Sequence, residues 1–166
     1  MHWFWIDRFT VFESGKRAEA IKAVTIAEDH LHQHFRYYSV MPASLMIEGV
    51  AQTAGLLIFQ SMNYSGKVVL AKLPKMTFHL LEAKPGDLLT YSVVIDRMLG
   101  EGAMVSATIR NGDRLMAEGE LVFAFLNESF ADQSLFQDGD LIDTLRFYGA
   151  FRIGADADGN RLIDPQ

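Results

Sequence analysis

The chain has 166 residues, 49% of them hydrophobic and 22% charged, enough apolar material for one domain with a real core and too much for a disordered chain. A formal net charge of −6 supplies no basic field for phosphates and excludes non-specific nucleic-acid binding. The absence of cysteine excludes disulfides, thiolate metal sites and cysteine nucleophiles.

The opening MHWFWIDRF has none of the signal-peptide pattern, and no apolar run approaches the 18 residues of a membrane span, so a cytoplasmic protein without a span is expected. Charge divides unevenly. Residues 1–127 carry a net of −1 and residues 128–166 a net of −5, with Asn127-Glu128-Ser129 as a polar break. This predicts a body over 1–127 followed by an acidic C-terminal extension over 128–166, whose role the sequence leaves open.

Taken in chain order, Lys16–Ile26 alternates apolar and polar residues and is predicted to be a strand. Next come His30, His32 and His34 at alternate positions. On an extended chain they point to one side, where imidazoles could face a metal. Apart from Glu28 on the same face, no further ligand completes such a site, and no metal is expected.

From Ala43 to Met62 there is no proline and few β-branched residues, which predicts a helix about 30 Å long with Pro42 at its start. Apolar residues cover nearly every face, so it should be buried all round, and Gly49, Ala51, Ala54 and Gly55 keep it thin. Strands are then predicted at Lys67–Leu70 and Met76–Leu81, on either side of a proline, and at Leu88–Asp96. A hairpin is predicted from Ala103–Arg110 and Arg114–Phe125, joined by Asn111-Gly112-Asp113. One buried helix with antiparallel strands around it predicts an α+β fold. Asp156-Ala157-Asp158-Gly159-Asn160 hints at calcium but lacks the glycine and glutamate spacing of such a loop, so a solvated turn is expected.

Glu48 is a lone carboxylate in the middle of the apolar helix. Burial of an unpaired charge is costly, so the group must find a partner or hold a proton as a neutral acid. Gln52 lies one turn later on the same face and can orient it. Both a hydrogen-bonded core Glu and an acid catalyst fit this pattern. The backbone N–H groups after Pro42 carry the positive end of the helix dipole and would polarise a carbonyl oxygen. An imidazole, a protonated carboxyl and a polarised carbonyl together can remove a proton beside the carbonyl and expel a β-hydroxyl.

The run HQHFRYYSVMPASLMIEGVAQTAGLL resembles the active-site segment of β-hydroxyacyl-acyl carrier protein dehydratases of the FabZ/FabA type, whose pattern is G-H-F-P-G-x-P-V-M-P-G-V-L-I-I-E-A-x-A-Q. The family's His matches His34, its acid fourteen residues later matches Glu48, and its Gln matches Gln52. FabA-type enzymes place Asp at the acid, so Glu48 is closer to FabZ. WFWIDRFTVFESGKRAEAIKAVTI, LAKLPKMTFHLLEAKPGDLL and NGDRLMAEGELVFAF extend the similarity over about residues 3–126. The pattern departs at Gln33 for Gly, at Arg36-Tyr37-Tyr38-Ser39 for the P-G-x-P loop and at Ala43 for the Gly whose amide polarises the thioester.

The resemblance implies a hotdog fold and dehydration of (3R)-3-hydroxyacyl thioesters in fatty acid biosynthesis, without a cofactor. His34 would be the base, Glu48 the acid, and the Ala43 amide the oxyanion donor. Gln52, Phe35, Val40 and Met41 would position substrate. It also implies a homodimer whose subunits share each site, with a trimer of dimers as the larger form. Arg36, Lys72 and Lys75, with Lys84 nearby, are candidates to meet an acidic acyl carrier protein. Two other readings fit a hotdog chain: an acyl thioesterase in which Glu48 activates water, and a non-catalytic acyl- or carrier-binding scaffold.

Overall fold

The structure, a computed structural model, describes residues 4–33, 37–126 and 138–165. Six strands, β1 (Arg8–Glu13), β2 (Arg17–Ala23), β3 (Lys67–Phe78), β4 (Leu88–Leu99), β5 (Gly102–Asn111) and β6 (Arg114–Leu126), form one antiparallel sheet in the order β1-β2-β4-β5-β6-β3. The sheet curls around the long helix α2 (Ala43–Ser61), with the short α1 (Asp29–Gln33) before it. Helices α3 (Asp138–Phe147) and α4 (Ala150–Ile153) follow the sheet. This is the hotdog arrangement.

Local chemistry accounts for the elements. Pro42, in extended conformation, caps α2, and its carbonyl accepts from the Leu45 and Met46 amides. The helix ends because Asn63 and Tyr64 both take positive φ. The β5–β6 hairpin closes through Gly112-Asp113, with Asn111 paired to Arg114. Gly112, at φ 57°, supplies the first turn position at no steric cost.

Four expectations are corrected. First, α2 is not buried all round. Its last turns, Leu56 to Gln60, are enclosed, whereas Ser44, Glu48, Gln52 and Gly55 form one partly open stripe at helical spacing. Second, Lys67–Phe78 is a single strand through Pro74. It runs along a sheet edge with register shifts on both sides of Lys72, where a missing N–H is tolerated. Third, His30 and His32 lie on α1 and not on an extended strand, so they diverge in direction. Fourth, α2 is itself long and apolar enough to cross a membrane, as no other helix is among the described residues, although most of it is sealed within the sheet.

The acidic C-terminal residues join the main core. Leu145, Tyr148, Ala150, Phe151 and Leu162 are buried with Phe9, Phe12 and Leu57 in one apolar cluster. The backbone is stitched to β1 as well: the Phe9 amide donates to Tyr148 O at 3.0 Å. The Ser14 amide donates to Ala155 O, and the Ala155 amide to Phe12 O, both at 2.9 Å. The edge of β1 is thereby covered, whereas β3 forms the opposite edge of the sheet.

Candidate active site

The open stripe of α2 carries the polar groups. Glu48 is half-buried, and Gln52 Nε2 donates to Glu48 Oε1 at 3.2 Å. The Trp5 amide donates to Gln52 Oε1 at 3.0 Å. A backbone N–H can only donate, so it fixes the Gln52 oxygen toward Trp5 and the Gln52 NH₂ toward Glu48. Oε1 of Glu48 is therefore committed as an acceptor, and a proton on this carboxyl belongs on Oε2.

The chain from Phe4 to Ile6 reaches α2 because Gly49 has no side chain. Tyr91, fully buried on β4, and the Trp5 carbonyl both press against the helix there. A Cβ on Gly49 would overlap Tyr91 Cε2 and lie 2.6 Å from its Cζ and 2.9 Å from Trp5 O. The family pattern has Ala at this position. Burial of the Tyr91 phenol, with no hydrogen-bond partner among the described residues, pushes its pKa far above the usual range.

Ala43 is the first residue of α2, so its amide belongs to the first-turn N–H groups without an intrahelical acceptor. The loop leading into it is held from the side. The Tyr38 hydroxyl donates to Glu82, whose other oxygen pairs with Lys84 Nζ at 2.6 Å, and the Met41 amide donates to Ala83 O at 2.8 Å. Lys84 keeps the Glu82 carboxyl below its ordinary range, with Tyr38 as the next cause, and the Tyr38 phenol is raised in return. Tyr37, which stands where the family loop has its Gly, adopts φ 66° and is almost wholly exposed. A left-handed φ favours glycine, and a tyrosine adopts it at a steric cost.

His34, Phe35 and Arg36 lie outside the described residues. The segment before them is anchored. Lys22, at the inward phase of β2 and 5% exposed, places Nζ 2.6 Å from Glu28, 3.5 Å from Asp7 and 2.7 Å from Ala23 O. Glu28 precedes α1 and also accepts from the Thr25 amide at 2.9 Å. On α1, the His30 ring packs edge-on against Trp5 with centroids 5.2 Å apart, and His32 Nε2 lies 2.6 Å from Ile26 O.

Among the described residues, no group of three His, Asp or Glu side chains is arranged to hold a metal. The Asp156 carboxylate accepts from the Asp158 and Asn160 amides at 2.9 and 2.8 Å, closing a turn. Val40 and Met41 are buried, Met41 in the main core, whereas Lys72 and Lys75 are exposed on β3. Glu48 and Gln52 meet on one face of α2, and Ala43 opens its first turn, where the sequence pattern puts them. Periodicity gave no place near them to Lys22, whose signal was a charge on the inward phase of an alternating strand, or to Trp5, which reaches Gln52 through its backbone.

The FabA-like domain family matches residues 2–125. The chain belongs to this family. It is 35% identical over 124 residues to the 3-hydroxyacyl-(acyl-carrier-protein) dehydratase FabZ of Clostridioides difficile (strain 630), covering 74% of this chain and 87% of the relative. It is 40% identical over 122 residues to the enzyme of the same name from Listeria monocytogenes serotype 4b (strain CLIP80459), covering 72% and 83%. Among solved structures, a chain of the dehydratase heterocomplex ApeI:P from Xenorhabdus doucetiae superposes with a TM-score of 0.64. At 12% identity over 81% of this chain and 90% of that one, it attests the hotdog fold. The family match ends within β6, so α3 and α4 lie beyond the FabA-like domain.

Proposed function

We propose that the chain dehydrates (3R)-3-hydroxyacyl thioesters carried on acyl carrier protein to trans-2-enoyl thioesters. The observation that carries this reading is the relay from the Trp5 amide through Gln52 to Glu48, on residues that match the family's Gln and acid. It prepares a carboxyl with one oxygen held and the other available to give a proton.

In this reading His34 takes the C2 proton, and the C–H electron pair moves into the thioester to form an enolate whose oxygen the Ala43 amide holds. As the C2–C3 double bond forms, the C3–O bond breaks and the hydroxyl takes the proton from Glu48 Oε2, leaving as water. Proton return from His34 to Glu48 closes the cycle. The thioester already acidifies C2, so no cofactor is invoked. Val40 and Met41, being buried, act on substrate by shaping the loop, and Phe35 is read from the family pattern as a further positioning residue. Arg36, Lys72 and Lys75 are read as contacts for the acidic carrier, in the cytoplasm.

The assembly is read as a homodimer in which His34 and Glu48 of different subunits meet. The half-buried stripe on α2 and the 12-residue edge strand β3 support it, since an edge of that length is a template for pairing with a second copy. Incubation with a 3-hydroxyacyl thioester tests the chemistry: enoyl thioester is expected, free thiol would make it a thioesterase, and no reaction a scaffold. Mixing inactive His34→Ala and Glu48→Gln chains tests the assembly. After proven subunit exchange, about half the dimers hold one intact site, and roughly a quarter of wild-type activity should return. Mixed dimers without activity would refute the shared site.

A further inference from the structure

The amide that fixes Gln52 belongs to the Phe4–Trp5 peptide bond, and this peptide is clamped from both sides. On one side the Trp5 ring meets His30 of α1. On the other, the Phe4 ring stacks on Phe147 with centroids 5.4 Å apart and meets Tyr148 edge-on at 5.8 Å. Tyr148 is itself locked. Its ring is buried against Phe9, and its carbonyl accepts the Phe9 amide at 3.0 Å. Its hydroxyl has no hydrogen-bond partner among the described residues, so the ring and not the polar tip accounts for its place.

Phe147 and Tyr148 both lie beyond the FabA-like domain. A contact chain therefore runs from the added C-terminal segment to the reacting end of α2: Tyr148 and Phe147 to Phe4, the Phe4–Trp5 amide to Gln52, and Gln52 to Glu48. The Phe4, Phe147 and Tyr148 rings hold one side of this peptide, and its N–H is the backbone donor to Gln52 Oε1 described above. Loss of the Phe147 and Tyr148 rings would remove the stacking and edge contacts that hold the exposed Phe4 ring, and loosen the direction of the donor.

We propose that the C-terminal segment, residues 138–165, is a brace that sets the orientation of Glu48 through the Phe4–Trp5 peptide and Gln52, with Tyr148 as its positioning residue. The inference rests on the reading of Glu48 as the acid. It gives the acidic extension a role in the chemistry that the charge count does not suggest.

Full-length Tyr148→Leu and Tyr148→Phe, each alone and in a Gln52→Ala background, test it with a (3R)-3-hydroxyacyl N-acetylcysteamine thioester as substrate. The side-chain amide resonance of Gln52 is followed in ¹⁵N-labelled protein. Tyr148→Leu should lower kcat roughly 3- to 10-fold with KM within about twofold, and add no loss once Gln52 is Ala, because both changes act on one path. It should also displace the Gln52 resonance. Tyr148→Phe, which keeps the ring, should restore both readouts.

An equal loss in the Gln52→Ala background, or an unmoved Gln52 resonance, would overturn the brace. If Tyr148→Leu fails to fold, Phe147→Ala replaces it, since Phe147 is 67% exposed and its loss leaves the core intact. The same displacement of the Gln52 resonance is then required, and its absence overturns the proposal. The resonance is independent of turnover, so the brace is decided even where Glu48→Gln retains activity and the dehydratase reading itself fails.

Discussion

Replacing Gly49 by Ala sets two effects of known size against each other. In an exposed helix interior the change gains about 1 kcal/mol, because Gly pays the larger entropy on folding. Here the new Cβ would overlap Tyr91 Cε2 and stand 2.6 Å from Cζ and 2.9 Å from Trp5 O, all inside ordinary contact distance. Tyr91 has no solvent to retreat into, and Trp5 O is backbone. Overpacking a dense core costs about 1–3 kcal/mol, and two ring atoms plus a backbone oxygen place this case at the upper end. The net expectation is a loss of about 2 kcal/mol, which for a chain of this size lowers Tm by about 4–8 °C. Because Trp5 must move, the Gln52 relay should loosen and kcat should fall as well. Gly55→Ala is the control on the same helix. Its Cβ meets only Phe123 Cε1, at 3.7 Å, so it should raise stability by about 0.5–1 kcal/mol. Urea denaturation of both variants decides. A Gly49→Ala midpoint at or above that of the parent would refute the steric reasoning.

Lys22→Met should cost about 2 kcal/mol in urea titration, below the usual 3–5 for a broken buried pair because Glu28 and Asp7 reach water; an unchanged midpoint would show that the ion pair contributes nothing. Tyr37→Gly should stabilise by about 0.5 kcal/mol, the relief at φ 66° exceeding the added chain entropy, and a lower midpoint would refute strain at that position. For the Tyr38–Glu82 tether, the carboxyl lies below its ordinary value, so its contribution is present above the usual carboxylate range and lost as pH falls through the lowered value. The phenol is raised, so its contribution is present below the usual tyrosine range and lost only as pH rises through the raised value. Ring proton shifts of Tyr38 followed with pH should report titration above the normal tyrosine value, and Glu82→Gln should bring it back down; an ordinary titration in the parent would remove the tether.

What was legible in the sequence was what local periodicity encodes. The long helix, the Asn-Gly hairpin and the Glu48–Gln52 pair depend on neighbours within four residues or on one turn. The remainder depended on distant partners. Pro74 reads as a break, yet at a sheet edge it costs no ladder bond. Histidines at every second position fit an extended chain, but Asp29–Gln33 coils so that His30 can meet Trp5 and His32 can meet Ile26 O. Net charge labels residues 128–166 as an acidic appendage, while Leu145, Tyr148 and Phe151 recur every three residues and enter the core. Trp5 could not have been chosen from its side chain, since its contribution to the site is an N–H that 47 positions of sequence separate from Gln52. His34 is assigned by resemblance alone.

The burial gradient along α2 joins the fold to the proposed chemistry. An acid that gives up a proton cannot sit on a helix sealed on every side, because the carboxylate left behind would be an unpaired buried charge. The apolar turns from Leu56 to Gln60 take the full enclosure and anchor the helix in the sheet. That anchoring lets the first turns keep Ser44, Glu48 and Gln52 on a half-open stripe without loosening the element that carries them. The stripe is then narrowed from outside α2, by Trp5 over Gly49 and Gln52. The backbone donor there stabilises the oxygen of Gln52 whether Glu48 is charged or neutral. Gln52 in turn donates to Oε1 in both states, so the proposed proton transfer through Oε2 would need no rearrangement of that support. In the proposed reaction Oε2 needs a partner only while the leaving hydroxyl is present, and that is the condition under which the proton would be transferred.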